Sequence, residues 1–318
     1  MSLYGNIEPY ERGMLDVGDE NSIYWEVSGN PNGKAALVLH GGPGSGSSPW
    51  WRRLFNPTKY KIILFDQRGC GKSTPSSSNP GYDFTKNTTH HLISDIEALR
   101  KHLNVNKWLI LGGSWGCTLG LAYSKSYPET VTQMIFFGVT TGRHSEFDWT
   151  FRGGNRIFFP EQWDHLMKAL PSGRPESDIL DLLYEVLNKG NPSNIASLAR
   201  SLCLWESTTA DWPPVYTLQK RFEDSSYAIT FARLGTHYAK HYGWLKDGEL
   251  LNEGGYLDNI QGILINGRYD FQAPLENAWI LHTKWRGSEL IVVDDSGHSP
   301  SATIEDEIVK ATDKFSTL

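Results

Sequence analysis

Residues 107–123, KWLILGGSWGCTLGLAY, hold one serine in a glycine-framed turn between two apolar stretches. The frame at residues 112–116, GGSWG, fits the pattern G-x-S-x-G, in which a strand reverses into a helix within a few residues. Glycines at both ends of the frame relieve the crowding of that reversal and leave the Ser114 hydroxyl exposed. An ordinary turn with a capping serine is the alternative, but the apolar stretches on both sides favour a nucleophile elbow.

The apolar runs along the chain have the length of buried strands, and several are separated by segments with helical spacing. This alternation predicts an α/β fold with a mainly parallel sheet and helices on both faces. Residues 22–27 alternate polar and apolar side chains, which predicts an antiparallel strand at the edge of the sheet. The runs lie at residues 35–39, 60–65, 108–111, 131–137, 262–265 and 290–293, and helices are predicted at residues 88–103, 117–123, 274–285 and 304–315.

Between residues 140 and 253 the strand pattern stops, and tryptophan, proline, glycine and charged residues mix with helical stretches such as residues 179–187. We interpret residues 140–253 as an insertion. The core is then predicted to consist of residues 1–139 and residues 254–318. A chain of 318 residues is large enough to bury such a core.

Charge and cysteine usage limit the function classes. The net charge of −6 gives no basic surface for nucleic acid or acidic membranes. No apolar run is long enough to cross a bilayer, and the N-terminus lacks the basic start and apolar centre of a signal peptide. Cys70, Cys117 and Cys203 have no C-x-x-C spacing, which favours free thiols over a zinc site. We expect a cytoplasmic protein without a cofactor or metal and without nucleic-acid or membrane partners.

Two glycine-rich loops follow successive predicted strands. Residues 40–44 read HGGPG and residues 66–73 read DQRGCGKS. The carboxyl ends of parallel strands form the edge where sites lie in such sheets. Acyl transfer needs backbone N–H donors for an oxyanion, and the predicted donors are the amides of Trp115 and Gly42. A plain tight turn at Gly42 is the alternative.

A serine hydroxyl needs a base to take its proton, and that base needs a carboxylate to orient it. On a fold with this elbow the chain order is serine, acid, histidine, which leaves His282 and His298 as candidates. His282 lies inside a predicted helix, where a packed or partly exposed side chain is the ordinary interpretation. His298 follows a buried strand at the edge where Ser114 is expected, so His298 is the predicted base.

The orienting acid should also follow a strand. Asp270 comes directly after the run at residues 262–265 and is the best candidate. Asp66 precedes the serine and is expected to bind the backbone of its own loop instead. Asp294 and Asp295 lie close to His298 in sequence, which disfavours them as its partner without excluding them.

Two other function classes were compared with the same residues. Phosphate binding would need a complete glycine-framed loop before a lysine, and residues 69–73, GCGKS, carry only the end of that pattern. A non-catalytic binding protein on this scaffold is a distant alternative, because Ser114, Asp270 and His298 are all present.

Five motifs together resemble the proline iminopeptidases, serine peptidases with the α/β-hydrolase fold. They are HGGPG at residues 40–44, DQRGCGKS at residues 66–73, GGSWG at residues 112–116, GRYD at residues 267–270 and GHS at residues 297–299. The resemblance extends from about residue 10 to the C-terminus. It implies Ser114, Asp270 and His298 as the catalytic triad and a helical cap within residues 140–253.

Within the cap, the segment containing Trp205 and Glu206 is similar to a family segment. The resemblance implies that Glu206 receives the positively charged N-terminus of a substrate, with Trp205 beside it. The family's second glutamate is replaced by Gly235, which halves the expected negative charge around the amino group. The favoured substrate is a short peptide or amide with a free N-terminal proline or small residue. An amino-acid amidase or esterase with another acyl preference is the alternative.

Overall fold

The computed structural model describes residues 3–171, 179–252 and 254–317. Strands in this part of the chain form one eight-stranded sheet in the order β1-β2-β4-β3-β5-β6-β7-β8. β1 and β2 pair antiparallel, as do β2 and β4, and all other neighbours are parallel. The strands are β1 Glu11–Asp16, β2 Ser22–Gly29, β3 Lys34–Leu39, β4 Tyr60–Phe65, β5 Trp108–Gly113, β6 Val131–Phe137, β7 Gln261–Gly267 and β8 Ser288–Val293.

Helices cover both faces of this sheet, as the sequence predicts. α1, α2 and α9 pack on one face, and α10 packs on the other. Thr88 caps α1 by accepting a hydrogen bond from the backbone N–H of His91. None of the described helices is both long and apolar enough to cross a membrane. The helices are α1 Thr89–His102, α2 Trp115–Ser126, α3 His144–Phe151, α4 Pro160–Lys168, α5 Ile179–Lys189, α6 Pro192–Ala210, α7 Ser225–Lys240, α8 Glu249–Asn252, α9 Leu275–Lys284 and α10 Ala302–Phe315.

The antiparallel strand predicted at residues 22–27 is present as β2, but its predicted position at the edge of the sheet is wrong. β2 lies inside the sheet between β1 and β4, and the sequence analysis missed β1, which forms the edge. The polar side of β2 is buried because Glu26 accepts hydrogen bonds from Arg52 and Tyr24. A paired carboxylate therefore produces the alternating pattern that usually indicates exposure to solvent.

The described part of residues 140–253 contains helices and no strand. α3 to α8 lie in sequence between β6 and β7. α4, α5, α6 and α7 pack around their own apolar cluster, which includes Trp163, Leu183, Leu198 and Trp205. Residues 172–178 and 253 lie outside the described residues, so the exact limits of the insertion stay a prediction.

Candidate active site

Ser114 occupies a sharp turn between β5 and α2. Its backbone has φ 56° and ψ −124°, in a region that residues with side chains rarely adopt. A Cβ atom on Gly116 would lie 2.0 Å from the Leu39 carbonyl oxygen, and one on Gly112 would lie 2.6 Å from the Gly116 carbonyl oxygen. Both glycines are therefore needed for the close packing that holds Ser114 in this turn.

Replacement of Gly116 by alanine is expected to destabilise the fold by about 1–3 kcal/mol or more, because the new methyl group overlaps the Leu39 backbone. Chemical denaturation monitored by circular dichroism would measure the change. Gly5→Ala is the matched control, because a Cβ atom at Gly5 meets nothing within 4 Å. Equal stability of the two variants would contradict the packing described for the turn.

The predicted base and acid lie in contact at the carboxyl edge of the sheet. Asp270 follows β7 and His298 follows β8, and the Nδ1 atom of His298 lies 2.8 Å from Oδ2 of Asp270. The other oxygen of Asp270 accepts hydrogen bonds from the backbone N–H groups of Gln272 and Ala273. Because an ionised carboxylate only accepts hydrogen bonds, Nδ1 of His298 is the donor and Nε2 is left as an acceptor.

Two opposing effects set the pKa of His298. Burial lowers this pKa, but the charge of Asp270 and its hydrogen bond raise it, and Glu206 adds a smaller rise. The net result is a His298 pKa above the ordinary value of 6.5. The raised pKa therefore favours the protonated imidazole that forms when His298 accepts a proton.

The other candidates have separate partners. Asp66 accepts hydrogen bonds from the backbone N–H of Lys72 in its own loop and from Ser47, as the sequence analysis expected. His282 lies in α9 with Nδ1 2.8 Å from the Ser288 hydroxyl. Asp294 pairs with Arg268, and Asp295 accepts hydrogen bonds from Ser296 and Thr303.

The two predicted oxyanion donors belong to residues that line one cavity together with Ser114. Trp115 is the first residue of α2, so its backbone N–H has no partner within the helix. Gly42 lies in the loop after β3 with φ 111°, and it lines the same cavities as Ser114. This arrangement is compatible with both amides acting on one oxygen atom.

Two cavities meet at these residues. The small cavity has a volume of about 90 Å³, the large cavity has a volume of about 550 Å³, and Gly42, Ser114, Glu206 and His298 line both. Aromatic and aliphatic side chains dominate the wall of the small cavity. They include Phe147, Phe151, Leu202, Trp205 and Phe231.

Glu206 extends from α6 to the junction of the two cavities. Its side chain is 19% exposed, and its Oε2 atom accepts a hydrogen bond of 2.9 Å from Nε2 of Gln272. Its Oε1 atom lies 3.6 Å from Nη2 of Arg221. Trp205 is buried beside it and lines the small cavity.

Gly235, where the resemblance led us to expect a second glutamate, also lines the small cavity. It is buried in α7, and a Cβ atom there would lie 3.3 Å from the ring of Phe151. An apolar ring therefore lies next to Gly235. Glu206 is the predicted substrate-binding carboxylate that remains.

Three further residues of this site were not predicted from the sequence. Gln272 and Arg221 both contact Glu206. The carbonyl of Ala210, at the end of α6, accepts hydrogen bonds from the backbone N–H groups of His298 and Ser299. Only Gln272 had a sequence signal, since it is a polar residue two positions after Asp270 in a loop that follows a strand.

The described residues contain no group of three or more His, Cys, Asp or Glu side chains that could hold a metal ion. The polar groups at and next to the junction are Ser114, His298, the carboxylates of Glu206 and Asp270, and backbone amides. That set can move protons and stabilise a developing oxyanion.

Comparison with known proteins identifies close relatives. The profile for the alpha/beta hydrolase fold matches residues 35–174. The chain is 41% identical to a probable proline iminopeptidase of Streptomyces coelicolor, over 99% of this chain and 98% of the relative. It is 40% identical to a proline iminopeptidase of Arabidopsis thaliana, over 100% of this chain and 83% of the relative.

Solved structures show the same fold at lower sequence identity. A bromoperoxidase from Bacillus anthracis has a TM-score of 0.65 and 17% identity, covering 97% of this chain and all of the other. A proline iminopeptidase-related protein from Thermus thermophilus has a TM-score of 0.61 and 20% identity, covering 96% of this chain and 98% of the other.

Proposed function

Because this chain belongs to the proline iminopeptidase family of α/β hydrolases, we propose that it releases an N-terminal proline from short peptides or amides through an acyl-enzyme. Membership makes the protein a hydrolase of the aminopeptidase type. We assign the chemistry to Ser114, Asp270 and His298. The observation that carries this assignment is the 2.8 Å contact between His298 and Asp270 beside the cavities that Ser114 lines.

In the proposed first half-reaction, Nε2 of His298 takes the hydroxyl proton of Ser114 as the oxygen attacks the carbonyl carbon of the N-terminal residue. The carbonyl oxygen becomes an oxyanion, which the amides of Trp115 and Gly42 stabilise. The protonated His298 then donates its proton to the leaving nitrogen. The carbon–nitrogen bond breaks, the shortened peptide leaves, and the released residue is esterified to Ser114.

In the second half-reaction, water replaces the leaving peptide. His298 takes one proton from the water, and the resulting hydroxide attacks the ester carbonyl. The amides of Trp115 and Gly42 also stabilise the second oxyanion. When the ester bond breaks, the proton on His298 returns to the Ser114 oxygen, and the amino acid leaves with both catalytic groups restored. Asp270 holds the imidazole orientation and stabilises the imidazolium through both steps.

The small cavity is proposed to hold the released residue. Its apolar wall suits a pyrrolidine ring or another small side chain, since burial of apolar surface favours binding. Glu206 is proposed to bind the substrate ammonium or iminium group, because a charge-assisted hydrogen bond is strong in a partly dry site. Gln272 fixes the carboxylate orientation through Oε2, and Trp205 is proposed to form part of the apolar wall.

An amino-acid amidase or esterase is the second candidate function. The observation in its favour is that Gly235 supplies no carboxylate and lies beside the Phe151 ring. Glu146, the other carboxylate that lines the small cavity, already binds Thr141 and Arg143. Glu206 alone would bind the amino group less tightly than two carboxylates, which would permit a broader range of acyl groups.

A substrate panel separates the two candidates. The probes are prolyl arylamide, alanyl arylamide, N-acetylprolyl arylamide and a short acyl ester, compared by kcat/KM. We expect prolyl arylamide to be the best arylamide and the N-acetyl form to be cleaved poorly, because acetylation removes the positive charge. Equal rates for blocked and free substrates would contradict the Glu206 anchor and favour the esterase.

Replacement of Glu206 by glutamine is expected to raise KM for prolyl arylamide about tenfold to hundredfold, since a hydrogen bond to a charged group contributes about 1.5–3 kcal/mol. Steady-state kinetics on the purified variant would measure the change. The exposed residue Glu223 supplies the control, and Glu223→Gln should behave as wild type. An unchanged KM in Glu206→Gln would remove this residue from substrate binding.

We also propose that residues 140–253 form a helical cap that limits access to the small cavity. The support is that α6 carries Glu206 and that its last carbonyl binds the His298 loop.

A cytoplasmic location is proposed as well. Its support is that Cys70, Cys117 and Cys203 are all buried free thiols, the form expected in a reducing compartment.

A further inference from the structure

The large cavity has a cationic side chain beside its reacting centre. Arg221 precedes α7 in a short helical turn and lines this cavity together with Ser114 and His298. It is the only lysine or arginine among the described residues that line the cavity. Two carboxylates, Glu206 and Glu305, share the lining, and Glu305 accepts a hydrogen bond from the indole N–H of Trp50.

Neighbouring groups hold the Arg221 guanidinium in place. Its Nε–H donates a 2.9 Å hydrogen bond to Oε1 of Gln219. Its central carbon lies 4.4 Å from the centre of the Phe222 ring, a cation–π contact that stabilises the group at this position. A planar fork held in this way is suited to binding a carboxylate.

The long contact between Arg221 and Glu206 leaves N–H groups of the guanidinium available to a ligand. The two groups are 3.6 Å apart at their nearest nitrogen and oxygen, which exceeds an ordinary hydrogen bond. Arg221 is 38% exposed and Glu206 is 19% exposed, so both are accessible from the cavities. Glu206 therefore lies at the junction, where a scissile bond would lie, with the positive group of Arg221 beside it in the large cavity.

The charges of Glu206 and Arg221 also affect the pKa of His298, the proposed base. The pKa of His298 is lowered by burial and raised by Asp270, and beyond these larger effects Glu206 raises it and Arg221 lowers it. Arg221 is therefore within electrostatic range of the reacting centre as well as of Glu206.

We infer that Arg221 binds the terminal carboxylate of the leaving residue, so that the enzyme prefers zwitterionic dipeptides to longer or amidated substrates. This inference rests on the proposed function, in which Glu206 binds the ammonium group at the other end of the same substrate. A dipeptide carries its two opposite charges on either side of one peptide bond. Glu206 presents a negative charge where the two cavities meet, and Arg221 presents a positive charge 3.6 Å away in the large cavity.

A role limited to the alignment of Glu206 gives a different result. In that case, removal of the guanidinium would weaken binding of the amino group in every substrate by the same factor. Carboxylate binding instead requires a loss confined to substrates with a free carboxylate. The ratio of two substrates that differ only at the C-terminus separates these roles.

The test compares prolyl-alanine with prolyl-alanine amide by kcat/KM, in wild type and in Arg221→Met, Arg221→Lys and Lys220→Met. The wild-type enzyme should favour the free carboxylate on the order of tenfold, the contribution of one hydrogen bond between charged groups. In Arg221→Met the ratio should fall close to one, and Arg221→Lys should restore part of it. Lys220→Met, at an exposed neighbour that does not line the cavity, should keep the wild-type ratio.

A wild-type ratio of one would overturn the inference without any variant, as would an unchanged ratio in Arg221→Met. Hydrolysis of prolyl arylamide by wild type, run in parallel, distinguishes the two failures. Cleavage of the arylamide with no carboxylate preference removes the role of Arg221 alone. Failure to cleave the arylamide and both dipeptides removes the proposed function as well.

Discussion

Replacement of Ser114 by alanine is expected to lower kcat for prolyl arylamide by about a millionfold, because the substrate loses the oxygen that forms the acyl-enzyme. The elbow does not depend on the hydroxyl, since its packing involves Gly112 and Gly116. The variant should therefore fold normally and still bind substrate. Steady-state kinetics with circular dichroism would measure both properties.

The control is Ser94→Ala, on the exposed side of α1, which should retain wild-type kinetics. Activity in Ser114→Ala within tenfold of wild type would exclude Ser114 as the nucleophile. The residual rate should come from substrate binding and the oxyanion donors alone.

Replacement of Asp270 by asparagine is expected to lower kcat/KM by about ten-thousandfold, because an amide no longer enforces the histidine tautomer with an acceptor at Nε2. The pH profile adds a second readout. His298 must be neutral to act as a base, and its pKa lies above 6.5. Wild-type kcat/KM should therefore rise with pH through a value above 6.5 and fall as His298 becomes protonated below it.

In Asp270→Asn the carboxylate charge that raises the His298 pKa is gone, so the acid limb of the profile should move to lower pH. The matched control is Asp294→Asn, since Asp294 is 78% exposed and pairs with Arg268. An acid limb that stays in place in Asp270→Asn would show that another group sets it.

The positions of Ser114, Asp270 and His298 could be predicted because parallel strands end at one edge of a sheet. Ser114 directly follows β5, Asp270 lies in the loop after β7, and His298 lies in the loop after β8. The topology of the sheet therefore brings the three residues together from distant parts of the chain. The predicted contact between Asp270 and His298 is present. His282 also fits the chain order, but it was set aside because it lies in a predicted helix, and the structure places it on α9 with a different partner.

The order of the first strands could not be predicted. The polar side of β2 is buried, because one of its side chains pairs with a residue that lies far away in sequence. Glu26 binds Arg52, which lies beyond β3 in sequence. Hydrophobic periodicity shows where polar residues occur, but it does not show whether a distant group pairs with them.

The contacts of Glu206 could not be predicted from the sequence either, because its partners also lie far away along the chain. Gln272 reaches it from the loop after β7, and Arg221 reaches it from the turn before α7. Phe151 approaches Gly235 from α3. These contacts join loops and helices that lie far apart in sequence, so no spacing within one segment could indicate them.

Covalent labelling tests the central assignment most directly. The wild-type protein would be treated with a fluorophosphonate, with and without excess prolyl arylamide, and the labelled peptide identified by mass spectrometry. We expect one adduct on Ser114, slowed by the arylamide and lost in His298→Ala. An adduct on another serine, or full activity after complete labelling of Ser114, would contradict Ser114 as the nucleophile of this hydrolase.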